Sequence, residues 1–222
     1  MAGSESPLTP RRRLRNELWV SRQAGWWRAY ADVAPGRLLE LIDYETAASA
    51  ISQFELMAVP GILQTEEYAR AVLRASYDAG SLVERLVALR GRRRDLLVGE
   101  GAPAFSFVLD ESVIRRPVGS PATMADQLRH LITLAARPNV TIRVVPFTVG
   151  LHPGSRGSVK VIEFDEDPDR SVAFLEGLPG DVLTEDPAEV STYSALFRSI
   201  AQVALEPADS AGLLREAAAE LT

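Results

Sequence analysis

Apolar positions along the chain change period several times, and each change predicts a change of element. Leu14, Leu18, Trp26 and Trp27 suit a helix from Pro10 to about Tyr30. Leu38, Leu39, Leu41 and Ile42 suit another, whereas Ile51–Val59 reads as a strand, so 38–59 stays open between the two. Val59-Pro60-Gly61 punctuates the chain as a turn. Thr65 then caps a helix with Glu66 and Glu67 in its first turn, where the helix dipole favours negative charge. Ser81 and Glu84 have capping-box spacing for a further helix, with Leu82, Leu86, Leu89, Arg93 and Leu96 as its stripe and an arginine-rich outer face. These two helices should form a hairpin.

The period shortens to two at Phe105, Phe107 and Leu109, which alternate with Ser106, Val108 and Asp110 and predict a strand. Ser120-Pro121 opens a helix with Met124, Leu128, Leu131 and Ile132 on one face, ending at Arg137-Pro138. Val140, Ile142 and Val144 give the next strand; Gly157–Phe164 and Ser171–Glu176 give two more, joined by the acidic turn Asp165–Arg170. Asp186-Pro187 with Glu189 starts a long helix bearing Val190, Tyr193, Phe197 and Ile200, and Glu206-Pro207 breaks it before a short tail helix. Strands interrupted by one helix and flanked by helices at both ends define an α+β fold. The expected form is a small, mostly antiparallel sheet with a helical hairpin before it and a long helix after it. Residues 1–24 read as a disordered tail and helix remnant, and 25–222 as one domain.

Composition narrows the chemistry. Among 222 residues there is no cysteine, which removes disulfides, thiolate metal sites and cysteine nucleophiles. Two histidines, His130 and His152, are too few for a histidine-rich metal site, so no metal and no cofactor is expected. No apolar run reaches the roughly 20 residues of a membrane span, and no apolar signal core follows the N-terminus. A soluble, cytoplasmic chain without a membrane partner is the expectation. Net charge is −6 but unevenly spread: residues 1–30 hold six arginines against two acids, and 160–222 four basic residues against fourteen acids. Arg11–Arg15 and Arg90–Arg94 lack interleaved aromatics or a reading helix and read as solvated charge. Lys160 is the only lysine, which reads as codon usage in a GC-rich genome.

No nucleotide-binding, metallopeptidase or nucleophile-elbow motif is present. The loop Gly150-Leu-His-Pro-Gly-Ser-Arg-Gly157 could offer backbone amides to an anion, or simply join two strands. His152 within it is expected to be exposed enough to titrate near neutral pH. Glu111, beside Asp110 at a strand end, stands one turn before Arg115 and Arg116. Such groups either orient a ligand or pair with one another. Glu176 falls on the face of Val172 and Phe174, where apolar surroundings raise a carboxyl pKa. Acid–base work by Glu111, His152 or Glu176 is one reading; a rim position is the other. Trp26, Trp27 and Tyr30 are core or interface anchors, and Trp19 upstream is a further interface candidate.

The order of short motifs carries a resemblance. Gly25-Trp-Trp-Arg-Ala-Tyr30 is followed by Glu45-x-x-Ala48-x-x-Ile51-x-x-Phe54-Glu55 and by Val59-Pro-Gly-Ile-Leu-Gln-Thr65 with Tyr68-Ala-Arg70. Then come Leu109-Asp-Glu-Ser-Val-Ile-Arg-Arg-Pro-Val-Gly119, Pro138-Asn-Val-Thr-Ile-Arg-Val-Val-Pro-Phe147, Gly150-Leu-His152 and the strand ending in Glu176. Over about residues 25–205 the chain resembles the domain of unknown function that follows an XRE-type helix-turn-helix in many actinobacterial, antitoxin-like regulators. The resemblance implies a sensor or protein-interaction module. Pro10–Leu18 resembles the start of the first DNA-reading helix, yet it runs straight into Gly25-Trp-Trp27. A turn and recognition helix need roughly 20 residues of their own, so the reader looks lost from within and no direct nucleic-acid contact is expected. The implied partners are a small molecule or a protein, including a homodimer or a heterodimer with a full-length relative. A cofactor-free biosynthetic enzyme built on the same domain is the alternative.

Overall fold

The computed structural model describes residues 25–35, 37–99, 101–165, 171–177 and 180–221. The predicted helix and tail over 1–24, with Trp19, lie outside the described residues. Segment 38–59 resolves into both candidates, helix α1 (Leu38–Ala47) and strand β1 (Ala50–Glu55). The hairpin is α2 (Glu66–Arg74) and α3 (Gly80–Arg93). Thr65 Oγ1 accepts from the Tyr68 amide at 3.4 Å and so caps α2 as expected. Ser81 does not cap α3. That helix begins at Gly80 behind Ala79 without a side-chain cap, and Glu84 instead turns outward to pair with Arg70 at 2.7 Å.

Next in the chain are β2 (Ala104–Asp110), the short α4 (Glu111–Arg115), α5 (Pro121–Ala135) and β3 (Val140–Val145). They are followed by β4 (Val159–Glu163), β5 (Val172–Leu175), β6 (Val182–Thr184), α6 (Pro187–Val203) and α7 (Pro207–Ala219). Strand β6 has no expectation behind it: three half-exposed residues make too short a pattern to read.

The fold is α+β, with one sheet in the order β3-β2-β1-β4-β5-β6. It is mixed rather than mostly antiparallel. Strand β1 runs parallel to β2, and β2 to β3, while β4, β5 and β6 are joined antiparallel onto the other side of β1. The reason is connection length. Parallel neighbours need a crossover of a dozen or more residues, which α2–α3 and α4–α5 supply, whereas the later links are loops or short turns.

Each face of the sheet buries its own cluster. Ile51, Phe105, Phe107, Leu109, Ile142, Ile162 and Phe174 pack under α5 and α7. The alternate residues Phe54, Val108, Val145, Val159, Val161 and Ala173 pack under Val190, Phe197 and Ile200 of α6. A third cluster joins Trp27 to α1, α2 and α3 through Ile42, Leu73, Val83 and Leu86. Among the described residues, no helix is long and apolar enough to cross a membrane.

Candidate ligand-binding site

Three charges are buried together where α1, α3 and β4 meet. Glu45, near the end of α1, is 1% exposed; Arg93, in the apolar stripe of α3, is 5%; Lys160, in β4, is 4%. Arg93 donates from Nε at 3.1 Å and from Nη2 at 2.8 and 2.9 Å to the Glu45 carboxylate, and Lys160 Nζ donates to Glu45 Oε1 at 2.7 Å. Burial alone would raise the Glu45 pKa. The two cations and their hydrogen bonds overcome it and hold the group at about 2.

Strand register places a polar row beside this triad. Gln53 of β1 lies opposite Lys160, and Lys160 opposite Phe174 of β5. One step along each strand on the same face come Glu55, Ser158 and Glu176. Gln53 Nε2 donates to Glu55 Oε1 at 2.5 Å, and Ser158 Oγ to Glu55 Oε2 at 2.7 Å. Gln53, Glu55, Ser158, Val159, Lys160, Phe174 and Glu176 line a pocket of about 10 Å³, room for about one water molecule. Burial and then the neighbouring Glu176 carboxylate push the Glu55 pKa up to about 7, against the opposing pull of Ser158, Gln53 and Lys160.

The helical wall continues to Arg90, one turn before Arg93. Arg90 Nη1 donates to Gln64 Oε1 at 2.5 Å, while Gln64 Nε2 is fixed on Val59 O at 2.7 Å. Gln127 of α5 pins the same segment, accepting from Thr65 N at 2.7 Å and donating to Leu63 O at 2.9 Å. Burial first, then the Arg93 charge, lowers Arg90 to about 10, with Glu176 and two tyrosines opposing.

Of the ligand-binding and catalytic candidates read from sequence, only Glu176 lines this pocket. It is exposed at the pocket mouth. His152 lies on the opposite face of the sheet, its ring edge-on to Phe54 at 5.7 Å. It is not an exposed loop histidine: its side chain is 4% exposed and pairs with Asp110 Oδ2 at 3.1 Å. Its Nδ1 accepts from Gly154 N at 3.2 Å, so a neutral ring carries its proton on Nε2 and donates it to Asp110. Asp110 also caps α4 through Ser112 N at 2.8 Å.

Glu111 accepts from the Phe147 amide at 2.7 Å and from Arg115 Nε at 3.2 Å, and Arg115 reaches Glu220 at 2.5 Å. Arg116, next in the chain, is exposed. These contacts clamp the 146–157 loop onto the ends of β2 and β3. Trp27 is buried in the hairpin cluster, and Trp26 packs edge-on to Tyr30 at 6.2 Å with Arg92 over its ring at 5.6 Å.

The clamp makes a prediction. A Cβ on Gly154 would lie 2.5 Å from Phe54 Cε1 and 2.7 Å from Cζ. Gly154→Ala should therefore cost about 1–3 kcal/mol by overpacking. Chemical denaturation checks it, and an unchanged midpoint would mean that the loop is not held against Phe54.

Sequence reading missed Glu45, Gln53, Glu55, Gln64, Arg90, Arg93, Ser158 and Lys160. Two signals were present: Arg93 interrupts an apolar stripe, and the single lysine stands inside an otherwise apolar strand.

The pocket occupies the carboxyl end of β1, at the point where the sheet switches from its parallel to its antiparallel half. The model of the family described as domain of unknown function (DUF5753) matches residues 38–216, from the start of α1 into α7. The chain belongs to this family. No curated protein and no solved structure matches the chain.

Proposed function

We propose that the chain is a stand-alone regulatory domain of a cytoplasmic, helix-turn-helix regulator family, and that it binds a small polar ligand over the mouth of the Glu55 pocket, with a single polar group of the ligand inside it. It acts without reading DNA itself. It would pass the ligand state on by pairing with a relative that carries the XRE-type reader, weakening DNA binding by withholding one reading unit. The observation that carries the ligand half is the buried Glu55 carboxyl. It faces Glu176 across the pocket, while the lining cation Lys160 is bonded to Glu45. Burying a carboxyl without a paired cation costs folding energy, and such groups concentrate at functional sites.

A thermal-shift screen of small metabolites tests this reading. A ligand at a hundredfold excess over its Kd adds about 2.7 kcal/mol, or roughly 5–10 °C in Tm for a domain of this size. The shift should shrink in Glu55→Ala, which removes the hydrogen-bonding group that Glu55→Gln would keep. Absence of any Glu55-dependent shift, or specific operator binding by the purified chain, would sink it.

A second reading is catalytic, favoured by a carboxyl that titrates near neutral pH, as a general base requires. It would use Glu55 with Glu176. The trio Glu111, His152 and Glu176 is not assembled, since Glu111 and His152 are engaged in the loop clamp.

A further inference from the structure

Two guanidiniums converge over the backbone of Gly61. A Cβ placed there would lie 3.5 Å from Arg93 Nη1 and 3.7 Å from Arg90 Nε. Arg93 spends Nε and Nη2 on Glu45, so Nη1 has no acceptor among the described residues. Arg90 spends only Nη1, and on a neutral amide, so Nε and Nη2 are idle. None of these idle nitrogens is sealed from solvent. A guanidinium offers five donors in a fixed fork, and holding two such forks together is unfavourable until an anion sits between them.

The groups facing this point come from every surrounding element. Glu45 belongs to α1, Gln53 and Glu55 to β1, Gln64 to the turn after Gly61, and Tyr68 to α2. Arg90 and Arg93 belong to α3, Ser158 and Lys160 to β4, and Glu176 follows β5. Tyr77, between α2 and α3, and Arg116, after α4, act at longer range. Arg94, one residue beyond Arg93, is occupied by Glu66 at 3.6 Å. With Glu55 protonated, the cations Arg90, Arg93 and Lys160 outnumber the carboxylates Glu45 and Glu176 by one.

We propose that Arg90 and Arg93 bind an oxyanion over Gly61, specifically the carboxylate of a small organic acid that places at most one further polar group in the Glu55 pocket. A monoanion closes the surplus of one positive charge; a phosphate dianion would leave an excess of negative charge beside Glu176. Gly61 lets the anion approach, because a side chain there would occupy the space between the forks. Gln64, held by Val59, keeps the Arg90 fork in place before the anion arrives. When Glu55 ionises the surplus disappears, so affinity falls as pH rises through about 7. The inference rests on reading this pocket as a ligand site.

The test is titration of the whole chain with sodium propionate and, separately, sodium phosphate, followed by calorimetry and amide NMR at constant ionic strength. Propionate should bind saturably at about pH 6 and several-fold more weakly at about pH 8, where Glu55 is ionised. Arg90→Gln should weaken it about tenfold or more, and Arg90→Lys, which keeps the charge but not the fork, by less than that. Glu55→Gln should bind with little pH dependence. Saturation by phosphate without propionate would overturn the carboxylate assignment. Equal binding by wild type and both Arg90 variants, or no saturable response to either anion, would overturn the site. If neutral or cationic compounds alone gave Glu55-dependent thermal shifts, this inference would fall while the ligand-domain reading stood.

Discussion

Glu45→Gln is expected to remove about 3–5 kcal/mol of stability, the cost of leaving buried cations without their counter-ion. Arg93 and Lys160 are both almost fully enclosed, and both direct their donors at the same carboxylate. A neutral amide keeps some hydrogen bonds but none of the charge, and two guanidinium or ammonium groups then face each other inside the fold. Against a typical domain stability of about 5–15 kcal/mol this is a severe loss. Urea denaturation at neutral pH measures it. The pH window follows from the depressed pKa. A carboxylate at about 2 in the folded state and 4.5 otherwise contributes its stability above 4.5 and loses it as pH falls through about 2. Replacing all three together, Glu45→Leu with Arg93→Met and Lys160→Met, should recover most of the loss, because apolar residues of similar size commonly substitute for buried ion pairs. A Glu45→Gln variant within about 1 kcal/mol of wild type would mean that water reaches the triad.

The triad also marks the limit of what the sequence could tell. Local signals were legible: Thr65, Ser120 and Asp186 each cap the helix expected of them, and the alternation at 105–109 is strand β2. Glu176 was legible too, since strand period alone put it on the Phe174 face. Sheet direction was half-legible, because a helix between β2 and β3 already implies a parallel crossover. The charged site was not. Arg93 was counted in the core stripe, yet its neighbours Arg90–Arg94 were read as solvated charge. Only a carboxylate 48 residues upstream decides that Arg93 is buried, and Lys160 stands 115 residues from the same group. His152 failed for the converse reason. Glycines on either side suggested exposure, whereas Gly154 is there so that the loop can press against Phe54.

The second large effect is a stability that declines through the neutral range because of Glu55. Its folded pKa of about 7 lies above the ordinary 4.5, so the folded state holds a proton that the unfolded chain releases. The contribution is complete below 4.5 and is lost as pH rises through about 7, a change of about 3 kcal/mol. Glu45 titrates outside this window, on the acid side. His130 acts within it in the opposite sense: burial and then Arg94 and Arg137 lower its pKa, so its contribution is present above 6.5 and lost as pH falls. The clean measurement is therefore the difference between wild type and Glu55→Gln, in which His130 cancels. The amide can keep the partners of the protonated carboxyl, since Ser158 and the Gln53 amide can each turn to donate or accept. The two proteins should unfold alike at about pH 4, and the variant should be more stable by about 2–3 kcal/mol at about pH 8. A saturating organic acid should widen that gap above about pH 7, because wild type binds the anion more weakly once Glu55 ionises whereas the variant does not. Parallel stability curves for the two proteins across this range would place the Glu55 carboxyl in water and remove the physical basis for coupling the pocket to pH.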